Sequence, residues 1–132
     1  MRITADTNVL VRAVVGDDPA QAQAAVAALR AVEQIAVALP ALCEFVWVLR
    51  RVYAFPVAEI SAAIRALIAA GNVRLDRAAV EAGLAQLEAG GDFADAVIAH
   101  QGQWLGGDTF VSFDQQAVAL LQRQGVAAQL LS

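Results

Sequence analysis

The sequence predicts an α/β fold, a single domain over residues 1–132 built around a mostly parallel sheet of four or five strands. Short apolar runs of strand length alternate with longer segments whose apolar residues recur at helical spacing. Proline, glycine and aspartate punctuate the boundaries between them. The length of 132 residues is that of one domain, able to bury roughly two-thirds of its unfolded surface in one core. Strands that alternate with helices pair in parallel and carry helices over the sheet faces.

Residues 3–5 form a short strand leading into Asp6-Thr7-Asn8, after which Val9, Leu10, Ala13 and Val14 recur as on a helix. Asp17-Asp18-Pro19 stops that helix and opens a second one, with Asp18 as N-cap and Pro19 at the first helical position. The second helix runs to about Glu33. Residues 35–39 read as a second strand closed by Pro40, and Leu42, Phe45, Val46 and Leu49 mark the stripe of the next helix, with Glu44 in its first turns. Pro56 begins a helix with Ile60, Ile64, Leu67 and Ile68 on one face, closed by Gly71. Residues 73–75 form a third strand. Asp76 caps a helix through Glu88, Gly90-Gly91 breaks it, and Asp92 opens the helix that carries Asp95, which ends at Gly106-Gly107. Residues 109–113 form the fourth strand, Asp114 starts a helix through about Arg123, and Gly125 turns the chain into a last strand near residues 126–131.

Composition bounds the function. Apolar residues make up 59% and charged ones 17%, against about 25% charged in a typical domain, so some apolar surface needs a partner. The helices after Pro40 and Pro56 carry Trp47, Val48, Tyr53 and Phe55, more than one core-facing stripe requires, and a homodimer is expected to bury part of this surplus. The longest stretch without a charge covers 12 residues, 96–107, short of the ~18 of a membrane span. An acid at position 6, where a secretory signal needs apolar residues, and a lone Cys43 favour the cytoplasm. A net charge of −4 and a pI of about 4.7 exclude nucleic-acid binding by a bulk positive field, so any such contact is local. All nine basic residues are arginine, which suits bidentate phosphate recognition and equally reflects genomic composition.

Four acids stand apart in the chain, Asp6, Glu44, Asp95 and Asp114, each beside an apolar run. Carboxylates in apolar surroundings lose hydration and repel one another, and they persist together where a hard divalent cation, Mg²⁺ or Mn²⁺, neutralises them. Asp6 and Asp114 fall just past strand carboxyl ends, where open α/β sheets bind ligands, while Glu44 and Asp95 fall near helix amino ends whose dipoles offset repulsion. If those helices begin on one sheet edge, the four acids converge. Taken singly, Asp6, Asp95 and Asp114 also read as helix caps, and Asp92 reads better as a cap than as a ligand. Capping does not explain Glu44, set between Cys43 and Phe45.

These residues bring a family into view. Asp6-Thr7-Asn8-Val9-Leu10, Glu44, the run Phe93-Ala94-Asp95-Ala96-Val97-Ile98-Ala99 and Ser112-Phe113-Asp114 together resemble the PIN-domain ribonucleases, with the nearest likeness to VapC-type toxins of toxin-antitoxin pairs. The resemblance covers nearly the whole chain. It departs at Ser112, where the family often has threonine, and the hydroxyl is kept. It implies an α/β/α sandwich, metal-dependent endonucleolytic cleavage of RNA, and inhibition by a cognate antitoxin protein. By position, Asp6 and Asp95 are the principal Mg²⁺ or Mn²⁺ ligands and Glu44 and Asp114 complete the shell directly or through water. Asn8 and Ser112 orient a ligand or water.

Other residues read more plainly. His100, roughly 140° around the helix from Asp95, points away from the acids and is expected at a surface or interface. Cys43 reads as a small buried hydrophobe, and Trp47, Phe55 and Trp104 as core or interface anchors. Arg51 lies roughly 10 Å along the helix from Glu44, a contact for an RNA phosphate at the pocket rim or a solvated surface arginine. Phosphatases of the haloacid dehalogenase type and receiver domains use a lysine that this chain lacks. The remaining rival is a catalytically silent PIN-like module that only binds a protein partner.

Overall fold

The computed structural model describes residues 1–132. It has seven helices and five strands, and every strand pair is parallel, in agreement with the α/β class read from the alternation of elements. The chain divides into two compact units, Met1–Asp76 and Arg77–Ser132.

The first unit contains β1 (Arg2–Thr4), α1 (Thr7–Val14), α2 (Pro19–Ala31), β2 (Gln34–Ala36), α3 (Leu39–Arg51), α4 (Val57–Ala69) and β3 (Val73–Arg74). Its sheet has the order β1-β2-β3, with Ile3 opposite Ile35 and Ile35 opposite Val73. The ladder continues one residue past β1 and past β2, since Ala5 N–H donates to the Ala36 carbonyl (3.0 Å) and Val37 N–H to that of Arg74 (2.9 Å). Asp6 therefore follows directly on the last paired residue of β1. Leu10 and Val11 on α1, Leu42, Phe45 and Leu49 on α3, and Ile60 and Ile64 on α4 are buried at helical spacing, one stripe per helix.

Most boundaries shift by a residue or two from the sequence reading, and those around α3 and α4 bear on the site. β2 ends at Ala36, and Leu39 and Pro40 belong to the first turn of α3, where the fixed φ of proline suits a helix start and its missing N–H costs nothing. Glu44 is then the sixth residue of that helix. Pro56 is the N-cap of α4, and the helix closes at Ala70 rather than Gly71, with the Ala70 N–H bonded back to the Ala66 carbonyl at 3.1 Å. Asp18 caps α2 as expected, accepting from the Gln21 N–H at 3.1 Å with Pro19 next in line.

Part of the expected aromatic surplus is already engaged. The Tyr53 hydroxyl donates to Asp17 Oδ2 (3.1 Å), and Arg12 Nη1 reaches both Asp17 Oδ1 (2.7 Å) and the Tyr53 hydroxyl (3.3 Å). This three-residue brace ties the turn after α1 to the end of α3. Burial raises the Asp17 carboxyl, yet the Tyr53 hydrogen bond and Arg12 outweigh it and leave the group below its ordinary value. Phe55 packs edge-on against Tyr53, ring centroids 6.4 Å apart.

The second unit contains α5 (Arg77–Glu88), α6 (Phe93–Trp104), β4 (Phe110–Ser112), α7 (Gln115–Arg123) and β5 (Ala128–Leu130), with β4 and β5 parallel and Val111 opposite Gln129. α5 and α6 meet at close range because Gly83 has no side chain: a Cβ there would lie 2.5 Å from the Phe93 ring, which is 1% exposed. Gly125 ends α7 at φ +81°, a conformation only glycine adopts without strain, and lets the Val126 N–H bond back to the Leu121 carbonyl at 3.0 Å.

Candidate active site

The acids fall two to a unit. In the first, Asp6 is the N-cap of α1 and its Oδ1 accepts from the Thr7 N–H at 2.9 Å. Thr7 is buried, 8% exposed, and its Oγ1 donates to Glu44 Oε2 at 3.3 Å. One residue thus links the carboxylate at the end of β1 to the carboxylate on α3. Asn8, expected to orient a ligand, is exposed. Thr7 is the residue the sequence reading missed. Its signal was present: Thr7, Leu10 and Val11 form an i, i+3, i+4 stripe, which turns the threonine inward and leaves Asn8 outside.

In the second unit, Asp95 is the third residue of α6, and Asp92 stands at the N-cap position without a side-chain capping bond. Asp114 is the N-cap of α7: its Oδ1 accepts from the Ala117 N–H at 3.0 Å, while its own N–H donates to Ser112 Oγ at 3.0 Å. Ser112 thus fixes the backbone of Asp114. Burial, then the charges of Asp92 and Asp114, push the Asp95 carboxyl above its ordinary value. Asp92, read from sequence as a plain cap, bonds no backbone N–H through its side chain and instead adds negative charge near Asp95.

Apolar neighbours in sequence did not make these acids deep. Asp6, Glu44 and Asp114 are exposed and Asp95 is half-buried, because strand ends and helix starts lie at the rim of the core even where the flanking residues point inward. No three His, Cys, Asp or Glu side chains gather into a ready-made cation cage. The donor chemistry nevertheless fits a hard divalent ion, since every candidate is a carboxylate oxygen and the burial of Asp95 and its repulsion by Asp92 and Asp114 are costs that a cation relieves.

The other singled-out residues fall as follows. Arg51 is exposed at the end of α3. Cys43 is half-buried, and burial raises its thiol pKa, as for an inert packing residue. Trp47 (60% exposed) and Trp104 (81%) are not core anchors. His100 is half-buried rather than at the open surface, and its Nε2 is shielded without a hydrogen-bond partner beside a hollow of ≈ 70 Å³ that Gln103 and Gln124 also line.

Parallel strands followed by helices, with carboxylates at strand ends and in helix starts, place the chain among α/β proteins whose chemistry sits at the strand carboxyl ends. Residues 3–120 match the PIN domain, and the chain belongs to that family. PIN is generally a nuclease fold, typically metal-dependent. No curated protein matches the chain. No helix is long and apolar enough to cross a membrane.

Proposed function

We propose that this PIN-domain protein is a Mg²⁺- or Mn²⁺-dependent endoribonuclease and the toxin of a type II toxin-antitoxin pair. The observation that carries the nuclease reading is the arrangement of acids within a PIN match over residues 3–120: Asp6 and Glu44 joined through Thr7, and Asp95 held in the field of Asp92 and Asp114. Asp6, Glu44, Asp95 and Asp114 are the proposed metal ligands, with Asp6 and Asp95 principal. When bound, a divalent cation supplies Lewis acidity toward the phosphate oxygens and lowers the pKa of water.

The chain's own residues hold the donors in place. Thr7 keeps Asp6 and Glu44 oriented, Ser112 fixes the backbone of Asp114, and exposed Arg51 offers a local cation for an RNA phosphate in a protein of net charge −4. An antitoxin protein that silences such a site is proposed to combine an apolar segment with an arginine directed at the acids, because the guanidinium fork donates to two carboxylate oxygens at once. Exposed Trp47 and Val52 on and after α3 are proposed to be covered in a homodimer. Light scattering that shows a monomer at working concentration removes that element.

The test is cleavage of defined RNAs with Mg²⁺, with Mn²⁺ and in excess EDTA, by the wild type and by Asp6→Asn and Asp95→Asn. Activity that needs the metal and is lost in both variants supports the proposal. Full activity in EDTA or in either variant overturns the mechanism, and a folded wild type that cleaves no RNA under any of these conditions favours the silent protein-binding module.

A further inference from the structure

α5 buries an amide where an apolar side chain is the rule. Gln86 is 0% exposed and sits one position before fully buried Leu87. A buried amide left unpaired is heavily penalised, so its partners decide whether it can be kept. Gln86 Oε1 accepts from Gln124 Nε2 at 2.7 Å, and its Nε2 makes a long contact, 3.5 Å, with the Ala117 carbonyl. Its backbone carbonyl accepts from the Gly91 N–H at 2.9 Å. Gly91 also lies against the side chain, since a Cβ there would stand 2.9 Å from Gln86 Nε2 and 2.8 Å from Leu120 Cδ1.

What these bonds join is specific. Gly91 directly precedes Asp92 at the start of α6, the helix that carries Asp95. Ala117 lies in the first turn of α7, and its N–H is the group that holds the Asp114 carboxylate. The Gln86 side chain therefore touches the amino ends of both helices that present the acids of this unit, α7 through its amide contact with Ala117 and α6 through the close approach of Gly91, while the backbone bond to Gly91 is one that any residue here would make. Methionine would fill the same volume without the polar burden, so packing alone does not select glutamine.

We propose that Gln86 is a positioning residue that sets the placement of Asp95 relative to Asp114 by pinning the starts of α6 and α7 to α5. Its catalytic consequence rests on reading these acids as metal ligands. The positional relation itself can be measured without metal or substrate.

The experiment compares full-length wild type with Gln86→Met and Gln124→Ala, and with Leu84→Val as a packing control within α5. Folding is checked by circular dichroism and thermal unfolding, and the carboxyl-carbon NMR resonances of Asp6, Glu44, Asp95 and Asp114 are recorded in EDTA. The resonances of Asp95 and Asp114 are expected to move in Gln86→Met, and in the same direction but less in Gln124→Ala, while those of Asp6 and Glu44 stay. Leu84→Val should lose stability without that pattern. The Mn²⁺ concentration for half-maximal RNA cleavage should rise about 10-fold or more in Gln86→Met, the usual size of an outer-shell effect. Unmoved Asp95 and Asp114 resonances in folded Gln86→Met overturn the proposal, and if that variant does not fold, unmoved resonances in Gln124→Ala do so. Resonances that move in a protein whose wild type cleaves nothing leave the positioning role standing and remove the nuclease reading instead.

Discussion

Thr7 Oγ1 donates to Glu44 Oε2 across 3.3 Å, while the Thr7 N–H donates to Asp6 Oδ1 at 2.9 Å. Two acids 38 positions apart in sequence are thereby referred to one buried residue. Both bonds run to carboxylates, the stronger kind, and both arise from the start of α1.

Thr7→Val keeps the shape of the side chain and removes the hydroxyl. Hydrogen bonds to charged groups are worth about 1.5–3 kcal/mol, and at 3.3 Å the lower end applies, so RNA cleavage should fall about 10-fold. Thr7→Ser should retain most of the activity. Full activity in Thr7→Val with loss in Thr7→Ser, measured with Mg²⁺ in excess, would assign the effect to packing of the threonine methyl rather than to the bond.

Asp114 has two roles that substitution can separate. As the N-cap of α7 it accepts from the Ala117 N–H, and Asp114→Ala should cost about 1 kcal/mol of stability. Asp114→Asn keeps a capping oxygen and removes the charge, so it should unfold near the wild-type midpoint in urea yet cleave RNA poorly. If Asp114→Asn is fully active, the residue is a cap and nothing more.

Much of this site was legible from local chemistry. Asp18 before Pro19 and Asp114 before its helix are caps that a few neighbouring residues determine, and both are present. The five strands were placed within a few residues because apolar runs bounded by turn residues have few alternatives. Pro40 was misplaced because proline ends a strand and begins a helix equally well. Gln86 and the brace of Arg12, Asp17 and Tyr53 were illegible because their partners lie 31 to 41 positions away, except the Arg12–Asp17 pair. Burial of the acids was overread because apolar flanks record where neighbouring side chains point, not where the acid does.

Gly83 tests the packing of the helix that carries Asp95. In an exposed helix, glycine to alanine stabilises by about 1 kcal/mol through backbone entropy. Here the new Cβ would stand 2.5 Å from the Phe93 ring, and overpacking of this kind costs typically 1–3 kcal/mol. Because Phe93 is fully enclosed at the start of α6, the clash should win, and Gly83→Ala should unfold at lower urea concentration than wild type. An unchanged or higher midpoint would mean that the ring finds room elsewhere.

Asp95 ties the acids to stability through pH. Burial, followed by the charges of Asp92 and Asp114, raises its carboxyl above the ordinary aspartate value of 3.8. The folded chain therefore keeps this proton to higher pH than the unfolded chain, and folding takes up a proton in the window between 3.8 and the raised value. Across that window the folded state binds more protons than the unfolded one, so the group's contribution to stability falls as pH rises and remains unfavourable at neutral pH. Asp95→Asn removes this liability. In EDTA at pH 7 the variant should melt above wild type, and the difference should shrink toward zero as the pH is lowered through the window. Adding Mn²⁺ should reverse the order, because an ion held by the folded carboxylates stabilises only the protein that keeps them. A variant that melts below wild type at pH 7 in EDTA would show that Asp95 stabilises the fold rather than straining it, and an order unmoved by Mn²⁺ would show that Asp95 holds no cation.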